Sequence, residues 1–116
     1  MIATTLEQSR KLVELGIDAS TADMFYSCGM DVETREWDYD LTIIDEYNKI
    51  DIGDIPAWSL SALLKAIKSY TLQTTSDNKC FIVADRTRDA VMSFEYNDPI
   101  DACYDAILKL NAKKED

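Results

Sequence analysis

The sequence predicts an α+β domain with three helices and a mainly antiparallel sheet of about five strands, in the order α-β-β-α-β-β-β-α. Segments with apolar residues at helical spacing alternate with segments of alternating or continuous apolar character. The connections between successive strands are short, which suits antiparallel pairing and leaves no room for parallel crossovers. With 116 residues, 47% of them hydrophobic, the chain is expected to form one domain over 1–116, with a frayed tail over 110–116.

The first helix is expected over about residues 5–15. Thr5-Leu6-Glu7-Gln8 has the pattern of a capping box, in which the Thr and Gln side chains bind backbone N–H groups at the helix start. Gly16 suits the left-handed conformation that ends a helix. A first strand is predicted over 24–28, because this stretch is rich in aromatic and apolar residues.

The second strand has the sharpest period-two pattern in the chain. The two alternating sets are Trp37, Tyr39, Leu41 and Ile43 on one side and Glu36, Asp38, Asp40 and Thr42 on the other. This alternation predicts a strand with one face in the core and one acidic face in solvent. The polar connection over 29–35 should join it to the first strand as a hairpin.

The central helix is predicted to begin after Ser59, which is a favourable N-cap residue. Its buried stripe should be formed by Leu60, Leu63, Leu64 and Ile67. Trp58 precedes the cap, and two roles are open for it. The ring can pack onto the first turn of the helix as part of the core, or it can anchor a partner beside Pro56.

Three further strands in a meander are predicted over about 70–75, 80–84 and 91–96. The second of them is continuously apolar and should lie centrally in the sheet. In the third, alternation should turn Met92, Phe94 and Tyr96 to one face and Ser93 and Glu95 to the other.

The last helix should start at Asp98, with Pro99 as its first residue and Asp101 in its first turn, because a capping carboxylate, a proline ring and a negative charge all favour a helix start. Its buried stripe is predicted to be Ile100, Cys103, Ile107 and Leu110.

The cysteines and the terminal segments indicate an ordinary intracellular chain. Cys28, Cys80 and Cys103 are odd in number and far apart, so they are expected to be small buried hydrophobic residues and not a disulfide framework or a metal site. No apolar run reaches the roughly 18 residues of a membrane span, and the N-terminus does not resemble a secretory signal. The sequence therefore predicts a cytoplasmic protein with no membrane segment.

The composition argues against an enzyme. The chain has no histidine, and its three glycines cannot form a phosphate-binding loop. The acidic stretch does not fit a calcium loop, because Ile43 and Lys49 occupy the positions of the required glycine and glutamate when the pattern starts at Asp38. We therefore expect a non-enzymatic protein with no catalytic, cofactor-binding or metal-binding residues.

The charge is strongly negative and unevenly distributed. The formal net charge is −10, of which −9 falls on residues 1–60 and −1 on residues 61–116. A surface of this kind repels nucleic acid and attracts a basic protein. The candidate partner-binding residues are Glu36, Asp38, Asp40 and Trp58. The acidic row has a second interpretation, in which it only keeps an exposed strand edge soluble and unpaired.

Three segments of the sequence carry a family resemblance: Ala22-Asp23-Met24, the stretch 54–64 beginning Asp-Ile-Pro-Ala-Trp-Ser, and Pro99-Ile100-Asp101-Ala102. Together they resemble a family of short uncharacterised proteins found in prophage and mobile-element regions of gut Bacteroidetes genomes. The resemblance spans most of the chain. It implies a biological setting and no activity, so no catalytic residues follow from it.

Three functions remain to be distinguished. The first is an accessory protein that binds another, unidentified protein. The second is an acidic DNA mimic that blocks a nucleic-acid-binding host protein, which requires carboxylates in paired rows. The third and weakest is a small enzyme, which requires a deep pocket with convergent polar groups. The oligomeric state does not follow from the sequence.

Overall fold

The computed structural model describes residues 2–30, 32–51, 53–67, 70–86 and 89–115. Its helices are α1 (Leu6–Glu14), α2 (Leu60–Ile67) and α3 (Pro99–Glu115), and a short 3-10 turn covers Ala19–Thr21. Its strands are β1 (Met24–Met30), β2 (Trp37–Ile43), β3 (Ile55–Ala57), β4 (Tyr70–Thr74), β5 (Cys80–Arg86) and β6 (Asp89–Met92).

The strands form two antiparallel sheets of three strands each, in the orders β2-β1-β3 and β4-β5-β6. The α+β class and the three helices are confirmed, whereas the expected single sheet of about five strands is not. The difference arises at β3, a strand of three residues that pairs with β1 and then turns directly into α2. Because α2 separates β3 from β4, the two strand groups do not join.

The main core lies between the second sheet and the helices. Its buried residues from β5 are Cys80, Ile82 and Ala84, and those from α3 are Ile100, Ala102, Cys103, Ala106, Ile107 and Leu110. The predicted α3 stripe is therefore buried. In α2, Leu63 and Ile67 are buried and Leu60 and Leu64 pack against the same cluster, which confirms the central helix. The helix α3 extends through Glu115.

The first sheet has only a small core of its own. Ala3, Met24 and Ala57 form it, with Tyr26 and Leu41 packed against them. The predicted apolar face of β2 is thus covered only in part, because Ile43 is 62% exposed. The side chain of Trp37 lies outside the described residues.

The strand β6 does not continue to Tyr96 as expected, because its pairing with β5 contains one extra residue. Val83 pairs with Met92, yet Cys80 pairs with Tyr96, so the three residues 93–95 lie opposite the two residues 81–82. Ser93 fills the irregular step: its N–H donates to the Ile82 carbonyl and its hydroxyl accepts the Ile82 N–H, both at 2.8 Å. Ser93 is buried and Met92 and Phe94 are exposed, as regular alternation with Val91 requires, and the extra residue beyond Ser93 brings Tyr96 to the core beside Cys80.

The helix starts follow the sequence closely. The α1 capping box forms, with the Gln8 N–H donating to Thr5 Oγ1 at 3.1 Å and the Thr5 N–H donating to the Gln8 side chain at 3.0 Å. In α2, Ser59 Oγ accepts the Ala62 N–H. The carboxylate of Asp23 holds this cap, since it accepts the Ser59 N–H at 2.9 Å and also the Ser59 hydroxyl.

Thr4 and Trp58 form a buried junction between the N-terminal segment and the end of β3. The Thr4 N–H donates to the Trp58 carbonyl at 2.9 Å, and the Trp58 N–H donates to Thr4 Oγ1 at 3.1 Å. The Thr4 hydroxyl lies 2.7 Å from that of Ser9, and its carbonyl accepts the Tyr26 hydroxyl at 2.7 Å. The junction therefore connects α1, β1 and β3.

We expect the Leu63→Ala variant to lose about 2–5 kcal/mol of unfolding free energy, because a fully buried leucine leaves both a cavity and lost apolar burial. Leu64→Ala is the matched control on the same helix and should lose less, since Leu64 is only partly buried. Denaturant unfolding of both variants measures the difference. A Leu63 variant within about 0.5 kcal/mol of wild type would contradict the described packing.

We expect Thr4→Val to cost about 1–3 kcal/mol, because the buried Trp58 N–H then has no acceptor although the side-chain volume is nearly unchanged. Thr71→Val, at an exposed position of β4, is the control and should change stability by less than about 0.5 kcal/mol. Urea titration of the two variants tests the junction, and equal midpoints would show that the Thr4 hydroxyl contributes nothing.

Candidate functional site

The hairpin of β1 and β2 extends beyond the rest of its sheet. The two strands pair over seven positions, from Met24 opposite Ile43 to Met30 opposite Trp37, whereas β3 pairs only with Met24, Phe25 and Tyr26. The remainder is a two-stranded ribbon. We call residues 27–30 and 32–40 the β-arm. The molecule is elongated accordingly, with extents of 51 × 32 × 28 Å and a radius of gyration of 15.6 Å against roughly 13 Å for a compact domain of this length.

Two of the predicted site residues, Asp38 and Asp40, lie on the same side of β2 in the β-arm. Both are exposed, and strand geometry separates them by about 7 Å. Their cross-strand partners are Gly29, which has no side chain, and Ser27, whose side chain is too small to cover a carboxylate. Neither carboxylate forms an ion pair with another described residue. The site therefore presents two uncompensated negative charges to solvent.

Glu36 lies just before β2, in the exposed connection of the β-arm, and so it does not extend the strand row as expected. Its N–H donates to Thr34 Oγ1 at 3.4 Å. The preceding residue, Arg35, has a φ of +58°, a left-handed conformation that turns the chain into β2. Glu36 thus adds a third negative charge near the row, and Arg35 places one positive charge beside it.

The base of the β-arm is fixed to the first helix by a contact between Tyr39 and Arg10, a residue that the sequence pattern did not single out. Arg10 of α1 donates to the Tyr39 hydroxyl at 3.1 Å, and its guanidinium lies 5.4 Å from the centre of the Tyr39 ring. Such a cation–π contact orients both side chains. The sequence shows only that α1 carries a positive charge at Arg10, and this charge alone does not indicate that its partner is Tyr39.

Trp58, considered above as a partner anchor, is fully buried. Its indole N–H donates to Thr21 Oγ1 at 2.9 Å, so the polar end of the ring is also satisfied inside the protein. The ring has no surface to offer to a partner. The position of Trp58 matches the alternative interpretation, in which it closes the core at the start of α2.

A second exposed surface lies on the second sheet, where Met92 is 60% and Phe94 is 68% exposed. The helix α3 holds this segment in place. Asp105 accepts the Phe94 N–H at 2.8 Å, and Lys109 Nζ donates to the Met92 carbonyl at 3.0 Å and lies 3.6 Å from the centre of the Phe94 ring. The sequence predicts that Met92 and Phe94 share one face of the strand, but alternation alone does not show that this face is turned away from the core.

The described grooves do not assemble a catalytic constellation. One groove, of about 620 Å³, lies between α1 and α3 and is lined by Leu6, Glu7, Arg10, Lys11, Glu14 and Tyr104. Burial, together with the nearby charges of Glu7 and Glu14, raises the pKa of Tyr104, so this hydroxyl does not ionise easily. Mixed charges without an activated nucleophile give the groove no evident chemistry.

Asp18 and Asp45 are turn residues whose carboxyl groups have a lowered pKa. Backbone N–H donation from Ser20 lowers the pKa of Asp18, and donation from Asn48 and Tyr47 lowers the pKa of Asp45. Both shifts are explained by local turns. Among the described residues, no group of three or more acidic or cysteine side chains could hold a metal ion. No helix in the described part of the chain is long and apolar enough to cross a membrane.

The cysteines differ in exposure. Cys80 and Cys103 are buried as expected, but Cys28 is exposed because it lies in the β-arm beyond the third strand. Burial, with smaller contributions from Cys80 and Asp98, raises the pKa of Cys103 to about 12. Burial also raises the pKa of Cys80. Of the three cysteines, Cys28 alone is exposed to solvent.

We expect a thiol reagent to modify one cysteine rapidly in the native protein and all three after denaturation, because only an exposed thiolate reacts readily. The Cys28→Ser variant is the control and should show almost no rapid reaction. Absorbance from released aromatic thiol measures the stoichiometry. Two or more fast thiols in the native protein would contradict the burial of Cys80 and Cys103.

Comparison with known proteins identified no relative of this chain. The chain matches no protein-family model, no curated protein and no solved structure. Its function therefore has to be inferred from its own geometry.

Proposed function

We propose that the chain is a non-enzymatic protein-interaction module whose β-arm binds a basic surface on a partner protein. The observation that carries the proposal is the projection of the hairpin beyond β3, with Asp38 and Asp40 uncovered on one side. The setting we propose, from the family resemblance, is the bacterial cytoplasm, where the chain would serve as an accessory protein of a prophage or mobile element.

Electrostatics support this use of the β-arm. Like charges close together on one strand face repel each other and reduce stability, so the fold itself gains nothing from Asp38 and Asp40. The surrounding half of the chain carries most of the negative charge, with −9 over residues 1–60. A field of this sign speeds the approach of a basic partner and disfavours nucleic acid.

The base of the β-arm is suited to hold such a surface in a defined direction. Arg10 contacts Tyr39 on β2, and the Tyr26 hydroxyl of β1 donates to the Thr4 carbonyl in the buried junction. Both strands of the hairpin are therefore attached to the N-terminal segment. An arm fixed at its base loses less freedom on binding than a free loop would.

A DNA mimic is less favoured by the same geometry. Mimicry requires carboxylates in paired rows, whereas β1 offers Ser27 and Gly29 opposite Asp40 and Asp38. The acidic row is therefore single within the hairpin. A single short row fits a few Lys or Arg side chains better than it fits a groove built for a duplex.

We expect the double variant Asp38→Asn, Asp40→Asn to remain folded and to lose its partner in a pull-down from the native host at low salt. The control is Asp77→Asn with Glu95→Gln, which removes the same charge from exposed positions near the second sheet. For the captured partner, the association rate should fall more than the dissociation rate rises, and about 0.5 M salt should weaken binding to wild type.

Equal capture by the wild type and by the Asp38, Asp40 variant would overturn the proposal. In that outcome the acidic row serves only to keep the β2 edge unpaired, and the variant should instead self-associate more readily. Loss of the partner in both double variants would assign binding to overall charge and not to the β-arm.

A further inference from the structure

In the described part of the chain the two sheets have four outer strands, three of which are protected against strand addition, and the outer side of β1 over 27–30 is open as well. The β2 edge carries Asp38 and Asp40, which repel another copy. The β3 edge is only three residues long and contains Pro56. At β6, the helix α3 occupies the outer groups, since Lys109 binds the Met92 carbonyl and Asp105 binds the Phe94 N–H. Charge, proline, shortness and coverage are the usual means of protecting an edge.

The fourth edge, β4, has none of these protections. Its sequence from Tyr70 to Thr74 contains no charged residue and no proline, and all five residues are exposed. An edge strand of this kind is a ready template for another strand.

The outward backbone groups of β4 can be identified from the neighbouring pairs. Cys80 exchanges hydrogen bonds with Tyr96, and Ile82 does so with Ser93, so both direct their N–H and C=O groups toward β6. Successive strand residues alternate, and therefore Phe81 and Val83 point toward β4. Their partners on β4 are Gln73 and Thr71. The N–H and C=O groups of Tyr70, Leu72 and Thr74 consequently point away from the sheet.

We propose that β4 pairs antiparallel with β4 of a second copy of this chain, in a register centred on Leu72. Leu72 then lies opposite Leu72 of the second copy, and Tyr70 lies opposite Thr74. Each of these pairs exchanges two backbone hydrogen bonds, which uses every outward group of the strand. The β4-β5-β6 sheets of the two copies then form one continuous sheet of six strands across a two-fold axis.

The side chains at this edge support the same register. Tyr70 and Leu72 pair with Ala84 and Ile82, so they lie on the core side of the sheet, yet they remain 40% and 38% exposed at its rim. A second copy would cover them with its own Tyr70 and Leu72. The core would thus continue across the two-fold axis.

A groove beside the edge fits the tyrosine of the second copy. The groove, about 330 Å³, is lined by Leu72, Thr74, Thr75, Asn78, Lys79, Cys80, Asn97 and Pro99. The proposed register puts Tyr70 of the second copy opposite Thr74, at the rim of this groove. Leu72 and Pro99 in the lining suit the ring, and the amides of Asn78 and Asn97 suit its hydroxyl.

The distribution of charge favours a second copy at β4 over one at any acidic surface. Two chains of charge −10 repel each other, but residues 61–116 carry only −1 and β4 carries none. Association through β4 therefore brings together the nearly neutral halves of the two chains.

Sedimentation equilibrium of the full chain over a range of concentrations tests the proposal. Wild type should approach twice the monomer mass, and Leu72→Lys should stay at the monomer mass, because two like charges then face each other at the two-fold axis. Leu72→Glu should also be monomeric, and an equimolar mixture of the two variants should recover the dimer. Thr71→Lys is the control, since residue 71 faces the neutral Gln73 of the second copy, and it should remain dimeric.

Cross-linking tests the register. In a Cys28→Ser background, Leu72→Cys should form a covalent dimer on mild oxidation, because the two Cα atoms lie about 5.5 Å apart in the proposed pair. Gln73→Cys is the matched control and should not, since its two Cα atoms lie more than about 7 Å apart. Far-UV circular dichroism establishes that each variant is folded.

Three results would overturn the proposal. The first is a monomer mass for wild type at every concentration up to about 1 mM. The second is a folded Leu72→Lys variant that dimerises as well as wild type, which would assign the dimer to another surface. The third is faster cross-linking through residue 73 than through residue 72, which would contradict the register.

Discussion

The pairing of Thr4 with Trp58 is the constraint on which the rest of the structure depends. Both residues are fully buried, and each donates its N–H to the other. The next residue in each segment is a helix cap, Thr5 for α1 and Ser59 for α2. One pair of buried hydrogen bonds therefore sets the starting points of two helices. Such a pair contributes only about 1 kcal/mol per bond, but an unpaired buried N–H would cost more than that.

The same junction explains how the first sheet is attached. Its own core is small, so apolar burial alone would hold it weakly. Polar contacts from β1 and from the residue before it compensate, since Tyr26 binds the Thr4 carbonyl and Asp23 holds the Ser59 cap. Well-satisfied polar contacts fix orientation better than apolar contacts do. The hairpin is thus directed outward from a rigid base, and its far half is free of the core.

Local features of the fold could be predicted from the sequence, and long-range ones could not. The capping box at Thr5, the stripe around Leu63 and the start of α3 depend on residues within a few positions, and the structure has all three. The division into two sheets depends on β3, a segment too short to show a period. The bulge at Ser93 depends on a hydroxyl that replaces a strand partner, which alternation alone does not reveal.

The candidate site shows the same division. Exposure of Asp38 and Asp40 follows from alternation and was predicted. The exposure of Cys28 and Ile43 was not, because the pattern of one strand does not tell how far a third strand or a helix covers it. The sequence did not decide between a buried and an exposed Trp58, because a tryptophan beside a helix cap can belong either to the core or to a contact surface.

The arrangement of the main core also constrains how the chain can fold as it is synthesised. Its buried residues extend from Leu12 to Leu110, and the first half of the chain contributes only Leu12 and Trp58 to them. The first half therefore cannot form this core by itself. The Thr4–Trp58 pair closes a loop over 54 residues, whereas β4 and β5 meet through a tight turn in which the Thr75 N–H donates to Lys79. Long loops close at a higher entropic cost than short ones. We therefore expect the second sheet to form before the first is anchored. Until then, residues 1–60 lack a packed core of their own. Their net charge of −9 should keep this segment solvated and should oppose its association with other nascent chains.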